Sequence, residues 1–294
     1  MEKVANNGAE SSIISCTVCG SHDIYEVSVS DTFAWYQCKD CKKRFSIDKQ
    51  PLERTETNGA KWIEHFGVRV KIAPRNRLTR ENYATPTNRL SSSAKYYLKQ
   101  MIKAHMVKIP NETYKGRNTY TDDYVKKQYT DCMRNFDLNI AYFNTLDKNQ
   151  FDNTVDSFCN KNRFKEITNL NDCNNKSGIY MLVLGEYKQV YIGISKDVKK
   201  RIMSHWNSKK EFDRLIFGSP ETSIISIDSF GVLDTTKIFF RGAGWYDLHG
   251  LEEKLVSKFD EKFLLNRVAG GINSEPNQSM RFLKLFSSSR QRHM

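Results

Sequence analysis

No stretch of this 294-residue chain approaches the ~18 consecutive apolar positions that a membrane-spanning helix requires. The opening residues MEKVANNGAESS lack the charged and apolar regions of a secretory leader. The expectation is a cytoplasmic protein with no membrane partner, in which thiols stay reduced. A disulfide frame is thereby excluded for the seven cysteines, leaving metal ligands or free thiols. There is no internal repeat and no heptad run. Acids are also scarce: 34 Asp and Glu stand against 46 Lys and Arg, a formal charge of +12. Such an excess favours a polyanionic partner, because each cation placed on a phosphate releases condensed counterions. The bland alternative is a solubility charge spread over the surface. What is present suffices for real cores, since 39% of residues are apolar and 12% aromatic. The length allows two domains, or three if one is small.

Three blocks follow one another. Residues 13–48 hold two cysteine pairs among short β-prone runs, Ile24 to Val29 and Phe33 to Gln37. Residues 51–165 are polar, basic and expected to be mainly helical, with 16 Lys and Arg against 7 Asp and Glu over 51–130. The polar stretch 168–177 reads as a linker. An α/β pattern then occupies 174–286, ahead of a basic, Ser-rich tail. An isolated 168–294 fragment is expected to stand without the first block. The fold class is therefore α+β.

Cys16-x2-Cys19 and Cys38-x2-Cys41 lie 18 residues apart between the inner cysteines, the spacing of a four-cysteine zinc site. Each CxxC turn delivers two thiolates, and a β-hairpin brings the pairs together. A block of about 35 residues has little core, so bound zinc would supply much of its folding free energy. A pair of redox dithiols is the competing reading; the absence of a thioredoxin-like βαβ setting argues against it. The run Tyr36 to Phe45 resembles the zinc ribbons at the front of many transposases. That resemblance implies nucleic-acid handling, and Lys39, Lys42, Lys43 and Arg44 suit phosphate contacts. Basic ribbons also serve as protein-docking modules. Cys132, Cys159 and Cys173 read as ordinary small residues.

In the middle block, Arg75, Arg77, Arg80, Arg89, Lys95, Lys99 and Lys103 accompany Tyr83, Tyr96, Tyr97 and Tyr114. Cations interleaved with aromatics suit backbone neutralisation plus stacking on bases; a solvated helical linker is the alternative. Ser91-Ser92-Ser93 can start a helix carrying Leu98, Met101, Ile102 and His105.

The last block reads element by element. Residues 178–184 and 189–194 are β-rich runs joined by Gly185-Glu186, a hairpin. Asp197 stands where a helix N-cap is expected before VKKRIMSHW, with Ile202, His205 and Trp206 near one face and Arg201 four residues before His205. A third strand is expected over 237–241. A helix from about 247 to 260 would carry Leu248, Leu251, Leu255 and Phe259 at helical spacing.

Gly178-Ile179-Tyr180 and Tyr191-Ile192-Gly193, ten residues apart, followed by Arg201, His205, Glu252 and Asn266 in order, resemble the GIY-YIG nuclease superfamily. The resemblance implies a small β-sheet flanked by helices and an endonuclease that hydrolyses phosphodiester bonds. It implies Tyr191 as the base for water or a relay of its proton, with Tyr180 beside it. Arg201 would clamp the scissile phosphate, and His205 would polarise a phosphate oxygen or take the tyrosine proton. Glu252, with Glu253 as its rival, would hold one Mg²⁺ or Mn²⁺. Asn266, with Asn273 as its rival, would orient substrate or the tyrosine pair. The stretch 207–236 is long for the family and is either a substrate-contacting insert or a surface loop. The expected partner is DNA, with RNA open, and a double-strand cut would call for two nicks or a homodimer. The catalytic block comes last, against the usual homing-enzyme order, so restriction or phage-defence, mobile-element and repair roles all stay open. A non-cleaving nucleic-acid-binding regulator that keeps the fold is the alternative.

Overall fold

The β-prone runs around the paired cysteines fold as an antiparallel meander of β1 (Ile24–Val29), β2 (Phe33–Cys38) and β3 (Arg44–Asp48), in that order across the sheet. The structure is a computed structural model describing residues 16, 18–29, 33–48, 54–55, 61–103, 113–114, 117–216, 219–244 and 248–266. The chain divides into two compact units, 1–64 and 65–294. In the first, the β1–β2 register sets Ile24 opposite Cys38, so the second cysteine pair arrives beside the start of β1. β4 (Arg54–Thr55) pairs antiparallel with β5 (Lys61–His65).

The second unit opens with β6 (Val68–Lys71), and the turn before it holds Phe66 and Gly67 at φ 51° and 71°. A 3₁₀ turn over Pro74–Asn76 and extended chain follow, burying Leu78 and Tyr83. Helix thus begins later than the expected 51. The reason is local: strands and a Pro-initiated turn occupy 54–55, 61–65, 68–71 and 74–76, and regular i→i−4 bonding starts only where a serine cap is available. That cap is Ser91, whose Oγ accepts from the Ala94 amide at the head of α1 (Ser92–Lys103). α1 buries Ala94, Leu98 and Met101, and His105 lies outside the described residues.

A short pair, β7 (Thr113–Tyr114) with β8 (Arg117–Asn118), precedes α2 (Asp122–Thr145). Thr121 caps α2 by accepting from the Tyr124 amide, and Asp122 and Asp123 complement the helix dipole. α3 (Lys148–Asn162), capped by Asp147, ends at Arg163 in the left-handed region.

The last sheet is antiparallel, in order β11-β10-β12-β9. Its strands are β9 (Lys165–Ile167), β10 (Gly178–Leu184), β11 (Gln189–Ser195) and β12 (Lys237–Gly242). The hairpin and third strand match the sequence reading; β9 adds an edge that reading lacks. All seven residues of β10 are buried, as a central strand requires. α4 (Val198–Asn207) follows β11, with Asp197 accepting from the Lys200 amide as the expected cap. α5 (Leu248–Val256) is shorter than the expected 247–260; the chain turns after Val256, and Phe259 still packs inward.

One core joins Phe151, Val155 and Phe158 of α3 to Ile179, Met181 and Val183 of β10, Val190 and Ile192 of β11, and Leu255, Phe259 and Phe263. α3 therefore belongs to the sheet's core. The expected linker 168–177 is also ordered: a 3₁₀ turn over Leu170–Cys173 buries both its ends. The molecule is mixed α+β, with five helices and small antiparallel sheets among the described residues. No described helix is long and apolar enough to cross a membrane.

Candidate functional site

The sulfurs of Cys16, Cys19, Cys38 and Cys41 all lie within 4.8 Å of one another. The Cys16–Cys41 and Cys19–Cys38 separations are 3.7 and 3.6 Å. A tetrahedral ion with bonds of about 2.3 Å sets its ligands ~3.8 Å apart, so this cluster could hold a metal such as zinc. Residues after each inner turn, Gly20 and Lys42, take φ 73° and 60° to fold the two knuckles alike. The backbone amide of Cys41, then that of Asp40, lowers the Cys38 thiol to about 7, favouring the thiolate. Cys132, Cys159 and Cys173 are buried free thiols.

The sheet and α4 assemble a second cluster. The β10–β11 register places Gly193 opposite Tyr180, and both tyrosine rings lean over it. A Cβ at Gly193 would sit 2.5 Å from Tyr180 Oη and 2.8 Å from Tyr191 Cε1. Only glycine lets the rings approach the strand. Tyr180 is fully buried, while Tyr191 is half-buried, with ring centroids 6.2 Å apart. One turn of helix after Arg201, His205 enters from α4 with its ring edge-on to Tyr191 at 5.2 Å. Its Nε2 is 2.8 Å from Tyr180 Oη, and its Nδ1 is 2.5 Å from Asp228 Oδ1. Phe66 stacked on Trp206, and the Trp206 indole donating to Thr235 Oγ1 at 2.9 Å, brace the same helix.

Charge in this cluster is set by burial. Burial raises Tyr180 well above its ordinary value, with Tyr191 adding and the Arg201 charge opposing. Burial pushes Tyr191 up to about 12, Glu252 adds to the rise, and Arg201 opposes it. Burial lowers His205, against the upward pull of Asp228, so the imidazole is neutral at neutral pH. Burial also raises Glu252, to about 7, against Arg201. Arg201 itself is exposed at the mouth. Glu252 is 5% exposed and makes no hydrogen bond or ion pair among the described residues, whereas Glu253 is exposed. A buried carboxylate is costly unless it is protonated or meets a cation, and the Arg201 charge is the cation that opposes its rise here. Glu252 is thus a fit donor for a hard divalent ion.

Asn266 is placed against β11, beside the tyrosine pair and not toward solvent. Its Oδ1 accepts from the Ile192 amide at 3.0 Å and its Nδ2 donates to the Ile192 carbonyl at 2.6 Å. One lone pair of Oδ1 and one hydrogen of Nδ2 are thus engaged by the backbone of β11, next to Tyr191. Asn273 lies outside the described residues.

The basic positions divide. Lys42, Lys43, Arg44, Arg75 and Arg77 are exposed. Arg80 is exposed too, yet its guanidinium is held in a two-pronged pair by Asp137 at 2.9 and 3.0 Å. Arg89 pairs with Asp122. Tyr83 is a core residue, its hydroxyl donating to Asn135 Oδ1 at 2.5 Å, so no base can stack on it. Tyr96 is partly exposed, and the Tyr114 side chain lies outside the described residues.

Sequence reasoning missed Asp228. It sits in a 3₁₀ turn, Ile227–Ser229, within the 207–236 stretch, with no local motif to flag it. The only signal available was that a buried histidine with one tyrosine partner needs a second acceptor. Comparison with protein-family models, with characterised proteins and with solved structures finds no match to this chain.

Proposed function

We propose that the second unit carries a GIY-YIG-type endonuclease site that hydrolyses the DNA backbone in the cytoplasm with Mg²⁺ or Mn²⁺. On this reading the zinc ribbon and the exposed basic positions contribute target binding. The observation that carries it is the convergence of Tyr180, Tyr191, Arg201, His205 and Glu252 on one end of the β10–β11 hairpin, drawn from two strands and two helices. An ordinary hairpin would have no reason to gather a buried carboxylate, an exposed arginine and a neutral histidine around two tyrosine hydroxyls.

The chemistry divides among these groups. Arg201, permanently charged and at the mouth, grips the scissile phosphate through paired N–H donors. The half-buried Tyr191 meets the attacking water. At about 12, its hydroxyl is ionised to only ~10⁻⁵ at pH 7, so its work is to align water and pass a proton. Tyr180, sealed behind it, hydrogen-bonds to the bare Nε2 of His205, which accepts a proton. Asn266 keeps β11, and so Tyr191, in place. A divalent ion at Glu252 would neutralise charge developing on the phosphate. A single site of this kind nicks one strand, so a double-strand cut requires two nicks or a homodimer.

The test is nicking of supercoiled plasmid, with single-stranded DNA and RNA run alongside. Wild type is expected to cut on addition of Mg²⁺ or Mn²⁺, and Glu252→Ala to lose at least 10²-fold in kcat. Undiminished cutting by Glu252→Ala overturns the site. Absence of cutting by wild type on every substrate points instead to a non-cleaving regulator.

A further inference from the structure

His205 is buried to 2% and is approached from four directions. Tyr180 comes from β10, Tyr191 from β11, Arg201 from its own helix, and Asp228 with Lys210 from the stretch after α4. We propose that Asp228 is a positioning residue of the proposed nuclease site, holding the His205 proton on Nδ1 so that Nε2 stays bare for Tyr180. On this reading the 207–236 insert is part of the catalytic machinery.

The argument is one of donors and acceptors. An ionised carboxylate only accepts, so the 2.5 Å contact to Asp228 Oδ1 requires Nδ1 to carry hydrogen. In a neutral ring Nε2 is then an acceptor, and the 2.8 Å contact requires Tyr180 to donate. Asp228 is itself held. Its Oδ2 pairs with Lys210 Nζ at 3.1 Å, and Ser226 at the start of its turn accepts from its amide. Burial would raise its carboxyl, but the His205 hydrogen bond and Lys210 keep it well below the usual range, so it remains an acceptor.

The insert is pinned at a distance from the site. Asn135 of α2 donates to the Pro220 and Ser223 carbonyls at 2.8 and 2.6 Å, and Asn139 donates to Ser223 at 3.0 Å. Beyond them Lys209 Nζ donates to the Ser229 carbonyl at 2.6 Å. A loop fixed at Ser223 and Ser229 holds residue 228 between two anchors. An unconstrained surface loop would need neither. The two buried asparagines of α2 thus serve the position of Asp228 at one remove.

This assignment rests on the nuclease reading for its kinetics but not for its geometry, and the experiment separates the two. Full-length protein with ¹⁵N-labelled histidine, the His205 signals identified by their loss in His205→Gln, reports the tautomer directly. Wild type is expected to show a protonated Nδ1 and a bare Nε2, and Asp228→Asn a mixed or reversed pattern. A protonated Nε2 in wild type, or an unchanged pattern in a folded Asp228→Asn, overturns the proposal whether or not the protein cuts.

With a cleaved substrate in hand, Asp228→Asn is expected to lose about 10²- to 10⁴-fold in kcat with KM within about 2-fold, and Asp228→Glu to recover part of it. The acid limb of the pH profile should also move to lower pH in Asp228→Asn, because the carboxylate that raises His205 is gone while Arg201 and Lys210 still depress it. A purely structural role would leave that limb in place. Wild-type kcat and an unshifted limb in Asp228→Asn overturn the proposal.

Discussion

A single side chain in the helical part of the second unit illustrates how burial alone can make a residue pH-sensitive. Asp213, in the 3₁₀ turn Phe212–Arg214, is 3% exposed. The Tyr120 hydroxyl donates to its Oδ2 at 3.3 Å, while its Oδ1 has no hydrogen-bond partner and lies 3.7 Å from Arg214 Nε. Burial raises its carboxyl to about 6, with Arg214 opposing. The unfolded chain therefore releases this proton first, near pH 4, and the folded chain only near pH 6. Stability falls as pH rises across that window, and the cost, at most about 3 kcal/mol, is fully present above it. Asp213→Asn keeps an acceptor for Tyr120 and removes the charge. It should match wild type in urea denaturation at pH 4 and gain ~1–3 kcal/mol at pH 7.5. A difference independent of pH would refute the burial argument.

Among the elements, those with a strong local signature were legible and those made by distant partners were not. The hairpin of β10 and β11, the Asp197 cap of α4 and the third strand β12 follow from short apolar runs bounded by turn residues, a capping side chain and β-branched or aromatic content. The cysteine knuckles follow from spacing alone. β9 was invisible because three residues, Lys165–Ile167, become a strand only by pairing with Ile238–Phe240 some 70 positions on. Asp228 was invisible for the same reason, and Tyr83 was misread because a tyrosine in a basic stretch looks alike whether it stacks on a base or on Phe136. Arg201, His205 and Glu252 were legible as types in order, but their states, exposed, neutral and buried, needed three dimensions. Asn266 was legible as a position with two alternative roles, and its bonds to β11 favour the one toward the tyrosine pair. Its paired bonds make it a substitute strand partner for Ile192, continuing along the edge of β11 the backbone pairing that Leu264 and Leu265 make with Val190. Asn266→Ala leaves the buried Ile192 N–H and C=O unmatched, a loss of ~2–4 kcal/mol on denaturant unfolding. Because Tyr191 adjoins Ile192, kcat should fall well beyond KM. If KM rises while kcat holds, Asn266 touches substrate after all and the clamp assignment fails.

At the scale of the whole molecule, the division at residues 64 and 65 says how stability is distributed. Among its described residues the first unit has a small cluster around Cys16 and Cys38, with Ile24, Tyr36 and Cys41 packed against it. A core that small cannot offset the conformational entropy of its strands, so a metal held by the four cysteines would supply much of the ribbon's stability. The second unit has the large core shared by α3, the sheet and α5, and its candidate active site draws nothing from the cysteines. Chelation of bound zinc, or Cys38→Ser, should therefore abolish the folding of the ribbon and leave the main thermal transition within about 1–2 °C of wild type. Where the chain is cut matters more than the metal. A 65–294 fragment should keep that transition, whereas 168–294 should not, because it discards Phe151, Val155 and Phe158 from the core and β9 from the sheet edge. Calorimetry of the two fragments decides between a C-terminal domain that begins at the polar stretch before β10 and one that needs α3 as its floor. A cooperative transition in 168–294 would restore the first.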